Sequence, residues 1–527
     1  MESSLLQTAE SLRATGSCDD AVTALRTVIR LCNNALEDAD DSAPDQSCHV
    51  QDQDQDQSDD DEELSEKQQI RALALYQLAV LLLQGYSGTP SVSPSPSPSL
   101  LIKEADFCLF KLGFCTRLHS NVLNYDLNHF NRARPPLPLP LPLPPHTKLA
   151  VVYDNVFSPS VLSALTNALI SSEIFWSYHN YPTSTFFSYN FGHPNHQNQN
   201  LLSQIALDGL LPLLLPHYPS LVDCTSVEIW AHRRDGEGHH QLHYDLDERL
   251  LVEGKGELKD RVRSPIVSSV FYLDVVDYNH GGGVVIAGAP TLVCDKKISV
   301  DCFKEDQSDS EEDPDMLGAM VYPKINRVLA FDGSLLHCVV PGNVVKPSDS
   351  EGEGEGEGKG EHSRRRVTLM FGFWKDVSTS DIVDETTLAP NMIGKKGKKG
   401  KPSWMNDKAF SSLSPTTTII NEACVESKDA AEHIESVWAN VEVDEAEEDQ
   451  WLVNDCEDVD FTGRFFLRER IEEIDEEVLS GAIPPPPEPE EGPPSASKQT
   501  NEIQYMSVEE ATQLGSSDSS DIKKRKR

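Results

Sequence analysis

"RRRVTLMFGFW", residues 364–374, is dense in β-branched, aromatic and large apolar side chains, the composition of a buried strand. Successive side chains of a strand point to opposite faces, so Arg366 and Thr368 share one face of a run whose other residues are nearly all apolar. A guanidinium and a hydroxyl would then point together into a buried space. Burying an arginine without a partner is costly, and a carboxylate held in its fork is the natural one, either an internal acid or an acid brought by a ligand. Arg364 and Arg365 adjoin a polar insert and read as solvated.

Runs of the same texture begin near residue 148: "KLAVVYDNVF", "SVEIWAHRR", "PIVSSVFYLDVV", "GGGVVIAG" and "RVLAFDG". Their length and spacing predict an antiparallel β structure, a sandwich or barrel. One helix is predicted at 158–172, opened by a Ser-Pro start signal. Two charge-rich inserts, near 304–315 and 346–363, read as disordered surface loops.

Upstream the texture is helical. Val22, Leu25, Ile29, Cys32 and Leu36 recur at three- and four-residue spacing, one stripe of an amphipathic helix, and further helices are predicted at 65–84 and 101–119. The runs between them are acidic or Ser/Pro-rich and cannot build a core. "RPPLPLPLPLPP", 134–145, predicts an extended polyproline II spacer that could also dock a proline-reading partner. The layout expected is a helical region at 1–125, a Pro-rich linker at 126–148, a β domain at 149–376, and a largely disordered acidic tail at 377–527 ending in the basic cluster "KKRKR". That cluster resembles a nuclear import signal.

The net charge of −41 disfavours broad contact with nucleic-acid phosphates and moves the expectation toward a protein or peptide substrate. Eleven cysteines without a C-x-x-C pair read as reduced thiols. The first residues lack a basic segment followed by an apolar run, and the longest apolar run, 72–83, is too short to span a bilayer. These features predict a cytoplasmic or nuclear protein without membrane contact.

In "HHQLHYDLDE", 239–248, a strand would present His243 and Asp245 side by side while Tyr244 faces away. His239 and His240 read as loop. Two ligands do not make a metal site, and His337 in "VLAFDGSLLHCVVPG" is the best third, returned by a Gly turn and a second short strand. His280, at an apparent hairpin tip, and His362, in a polar insert, are poorer because ligands need rigid support. Two histidines and a carboxylate with open positions compose the facial triad of non-haem Fe(II) oxygenases.

In this order "HYD", "HCVVPG" and "RVT", with "VVYDNVFSPSVLSAL" ahead and "FYLDVVDYNHGGG" between, the sequence resembles the Fe(II)- and 2-oxoglutarate-dependent dioxygenases, on their prolyl 4-hydroxylase-like side, over roughly 149–376. The resemblance implies an α+β fold whose core is a double-stranded β-helix, or jelly roll, with flanking helices. It implies Fe(II) on His243, Asp245 and His337, and 2-oxoglutarate held by Arg366 with Thr368 assisting. It also implies O2 as co-substrate, ascorbate as an accessory reductant, and hydroxylation of a protein side chain coupled to succinate formation. His337 and Arg366 are 29 residues apart, longer than the family usually shows, and the 346–363 insert accounts for the excess at little entropic cost. Many prolyl hydroxylases carry lysine where Arg366 stands. The alternatives are an oxidative demethylase of nucleic acid, which uses the same iron chemistry, and a non-catalytic interaction scaffold.

Overall fold

In a computed structural model of the chain, the residues described are 2–14, 17–41, 59–88, 97–114, 116–125, 149–179, 187–192, 200–235, 240–247, 262–274, 276–280, 283–287, 289–298, 316–341, 365–375 and 403–443. The Pro-rich linker, the two polar inserts, His239, His362, Trp451 and the basic end all lie outside them.

Helices α1 (Glu2–Ala14), α2 (Cys18–Asp41), α3 (Asp59–Leu83) and α4 (Pro98–Phe110) make up most of the first region. The stripe Val22, Leu25 and Cys32 is buried, with Ile29 packed beside it, and the apolar run of α3 is buried as predicted. The fourth helix is shorter than the sequence predicts. Gly113 adopts a φ of 76°, and around it the Phe114 N–H donates to Leu109 O (3.0 Å), a closure that ends a helix and needs glycine's freedom. The chain then enters β1 (Thr116–Leu118) and the single turn α5 (Ser120–Leu123).

Strand β2 (Ala150–Asp154) opens the β region and leads into α6 (Pro159–Leu169) and α7 (Ile174–Tyr178). After β3 (Tyr189–Gly192), α8 (Leu201–Gln204) passes through a π-helical turn into α9 (Leu211–Leu214). There follow β4 (Ser226–Asp235), β5 (His240–His243), β6 (Val267–Asp274), β7 (Val276–His280), β8 (Gly283–Ala287), β9 (Thr291–Lys297), β10 (Gly318–Val321), β11 (Arg327–Asp332), β12 (Leu335–Val339) and β13 (Arg365–Trp374), and later β14 (Val425–Glu426), β15 (Ala431–Ile434) and β16 (Trp438–Asn440).

Beside the two-stranded pairs β1-β16 and β7-β8, the described strands form two larger antiparallel sheets, a seven-stranded one in the order β14-β2-β11-β6-β13-β4-β3 and a five-stranded one in the order β15-β10-β9-β12-β5. Period-two alternation sorts their side chains. Val152, Tyr272, Leu329 and Phe331 of the larger sheet meet Val293, Val321 and Leu335 of the smaller in a shared inner core. On the far face of the larger sheet, Val328, Phe271 and Leu369 pack against α6 and α7 residues such as Leu165 and Trp176. The far face of the smaller sheet, with Leu292, Met320, Leu336 and Cys338, joins the core of the N-terminal helices. Strands covered on both faces read as near-continuous apolar runs.

A buried ion pair sits where β2 meets β11. Arg327 donates to both Asp154 oxygens (2.7 and 3.1 Å). Burial alone would raise that carboxyl, yet Arg327 and Lys324 hold it below its ordinary value. Cys108, Cys224, Cys294 and Cys338 are buried thiols. Among the described residues, no helix is long and apolar enough to cross a membrane.

Residues 403–443 correct the expected tail boundary. This segment folds back, with β14 beside β2, β15 beside β10 and β16 beside β1. Its apolar residues explain why: Trp404 and Phe410 are fully buried among Phe175 and Tyr189, and Trp438 enters the helical core. Trp404 and Trp438, which the sequence offers as anchors of the tail, hold it here.

Candidate metal centre

His243 closes β5 and pairs directly with His337 of β12. The pairing of β12 slips on both sides of His337, an irregularity of the kind that re-aims a side chain. Asp245 lies two residues beyond His243, and the alternation continues past the strand end, because Leu242 and Tyr244 pack outward against the helical core. One ligand atom from each of His243, Asp245 and His337 lies within 4.8 Å of the others. Asp245 Oδ1 is 3.8 Å from His243 Nε2 and 3.7 Å from His337 Nε2, too long for hydrogen bonds and consistent with atoms arranged around a common cation.

The outer atoms of the three are engaged in the way metal ligands require. His337 Nδ1 faces Leu335 O at 3.0 Å, so Nδ1 carries the proton and Nε2 presents a lone pair. His243 Nδ1 meets His240 Nδ1 at 3.2 Å. Ser268 Oγ donates to Asp245 Oδ2 at 2.6 Å. The donor set, two imidazoles and one carboxylate with outer-sphere support, therefore fits Fe(II).

The triad opens into a cavity of about 310 Å³ between the sheets, lined also by Arg366, Thr368, Thr291 and Phe331. Arg366 and Thr368 are buried and point into it, as their shared strand face predicts. The Arg366 guanidinium donates to Ala289 O (2.6 Å) and lies 5.2 Å from the centroid of the Tyr272 ring, which it stacks over. Tyr272 is itself tied to Thr291 by a 2.8 Å hydroxyl contact.

His240 is not loop. It is the first residue of β5, pairs with Val339 and lines the cavity. His280 lies at a hairpin tip, opposite Gly283. Ser268 and Glu228 are among the cavity residues that sequence reasoning missed. Burial pushes the Glu228 carboxyl up to about 7, Asp245 and Asp247 add to that, and hydrogen bonds from Ser188 and Trp374 oppose it. The available signal was alternation, since "VEIWAHR" sets Glu228, Trp230 and His232 on the face opposite Val227, Ile229 and Ala231.

No protein-family model and no curated protein matches the chain. Among solved structures it is similar to oxygenases, over less than or about half of its length. One is a Pseudomonas putida prolyl-4-hydroxylase, 15% identical, covering 44% of this chain and 89% of that one at a TM-score of 0.24. A second is HygX from Streptomyces hygroscopicus with nickel and 2-oxoglutarate bound, 12% identical, covering 48% and 92% at a TM-score of 0.23. A third is SnoK, a non-heme alpha ketoglutarate dependent carbocyclase from nogalamycin biosynthesis, 11% identical, covering 50% and 91% at 0.22.

Proposed function

We propose that the chain is an Fe(II)- and 2-oxoglutarate-dependent dioxygenase that hydroxylates a side chain of a protein, on a prolyl-hydroxylase-like jelly roll. The carrying observation is the convergence of His243 Nε2, Asp245 Oδ1 and His337 Nε2 in a cavity that also holds a buried arginine. When bound, iron and 2-oxoglutarate supply oxidation of a C–H bond by O2, yielding an alcohol, succinate and CO2, with ascorbate as accessory reductant.

The chain's own residues bind and orient. His337 and His243 offer fixed lone pairs, and Ser268 orients the Asp245 carboxylate. Arg366, its plane set by Ala289 O and the Tyr272 ring, forms a fork for the distal carboxylate of 2-oxoglutarate, with the Thr368 hydroxyl beside it. Phe331, Val339 and Met370 supply apolar wall that keeps water from the reacting atoms. A cytoplasmic or nuclear setting fits the buried thiols, and the Pro-rich 134–145 stretch suits a proline-reading partner.

The test is the weak visible band of an Fe(II)–2-oxoglutarate chelate under anaerobic conditions, followed by succinate release on adding O2. Wild type should show both, His243→Ala neither, and Arg366→Ala a chelate that needs at least tenfold more 2-oxoglutarate. No band at saturating iron and 2-oxoglutarate refutes the proposal in favour of a scaffold.

A further inference from the structure

Beside the triad, the inner face of the larger sheet carries a group that neither iron nor 2-oxoglutarate binding uses. Glu228 on β4 pairs with Gly372 on β13, and Gly372 pairs with Ser268 on β6, so the three form one row across the sheet. Ser268 is the partner of Asp245. Glu228 thus stands two strand spacings, roughly 10 Å, from the support of a metal ligand, with only a glycine between.

That glycine makes room for two indoles, which fill the space above it. A Cβ on Gly372 would lie 2.9 Å from Trp374 Nε1 and 3.6 Å from the Trp230 ring. Trp374 Nε1 donates to Glu228 Oε2 at 3.0 Å. Glu228, Trp230 and Trp374 all line the same cavity as the triad. Glu228 is only 7% exposed, so its carboxyl group is largely stripped of water. A positive guest offsets the cost of ionising that carboxyl in so dry a place, whereas a neutral apolar ring does not.

We propose that the Glu228 end of this cavity is a slot for a cationic side chain, the ammonium of a lysine or the guanidinium of an arginine in a polypeptide, and so selects the residue presented to the metal centre. The inference rests on the dioxygenase reading. In the reaction it implies, one C–H of the basic side chain becomes C–OH and 2-oxoglutarate loses CO2 to become succinate. These two two-electron oxidations together reduce one O2, whose atoms end in the alcohol and in succinate.

The experiment uses the full chain loaded anaerobically with Fe(II) and 2-oxoglutarate. Pentapeptides with a central lysine, arginine, proline or leucine, and free L-lysine, are compared by quenching of tryptophan fluorescence and by succinate release after O2. The lysyl or arginyl peptide should bind at least tenfold tighter than the prolyl and leucyl ones and raise succinate release. Glu228→Gln should abolish that preference, and Glu228→Asp, which keeps a carboxyl in the same wall, should retain part of it. Free L-lysine matching the lysyl peptide places the same cation chemistry on a small molecule and overturns the polypeptide assignment. Equal responses to all peptides, a prolyl preference, or no response while the chelate band is present overturns the cation slot. Loss of the chelate band itself in wild type overturns the underlying reading instead.

Discussion

Glu228→Gln should change how the stability of the protein depends on pH, by an amount the buried site sets. In the folded chain the Glu228 carboxyl keeps its proton up to about 7, against an ordinary value of 4.5. Burial is the main cause, with the Asp245 and Asp247 carboxylates adding to it. Between those two values the folded state binds more proton than the unfolded state, so stability falls as pH rises through this window. Below about 4.5 the glutamate costs nothing in this respect; above about 7 its ionisation costs about 3 kcal/mol. A glutamine is neutral throughout, its carbonyl can accept from Trp374, and its amide can reach across the strand pair toward Asn190 Oδ1, which is buried without a hydrogen-bond partner. Urea unfolding of chelator-treated protein at pH 5, 6, 7 and 8 should therefore show variant and wild type converging at pH 5, with the variant gaining about 3 kcal/mol by pH 8. Other titrating groups are common to both proteins and cancel in the difference. A difference that stays level across the range would refute the placement of Glu228 as a desolvated carboxyl.

Ser268→Ala removes the 2.6 Å bond that orients Asp245 and should weaken Co(II) or Fe(II) binding by roughly 10–100-fold in anaerobic titration; an affinity within twofold of wild type would contradict the orienting role. Gly333→Ala would set a Cβ 2.5 Å from Pro265 O, a backbone atom that cannot swing aside, and should lower the calorimetric midpoint by on the order of 5 °C; an unchanged midpoint would count against the close approach. Asp154→Asn leaves the Arg327 guanidinium buried without its carboxylate and should cost about 3–5 kcal/mol, much of it recovered by adding Arg327→Met; a loss below about 1 kcal/mol would show the pair to be solvated.

The β runs were legible because strands covered on both faces need long apolar stretches, and "HYD" was legible because alternation alone places His243 and Asp245 together. The strand face shared by Arg366 and Thr368 followed from the same rule. Ser268 was not: in "VSSV" nothing separates it from Ser269 until the register of β6 against β13 decides which serine faces Asp245. His240 was hidden because its strand is defined by pairing with Val339, almost a hundred residues away. In 403–443 Trp404 and Trp438 could be read as anchors, but the acidic composition around them hid how much irregular backbone two buried indoles hold.

The strand that bears His337 is gripped from behind. Leu336, Cys338 and Val340 alternate with His337 and Val339 and belong to one apolar core with α3 and α4. Just past the strand, Pro341 O accepts from Tyr125 Oη (2.9 Å) and Gln84 Nε2 (3.3 Å). Linkage between the two faces of this strand runs both ways. Occupation of the triad by a cation should slow amide hydrogen exchange in the helices behind it, and a molecule that clasps those helices should tighten the grip on the cation without touching it.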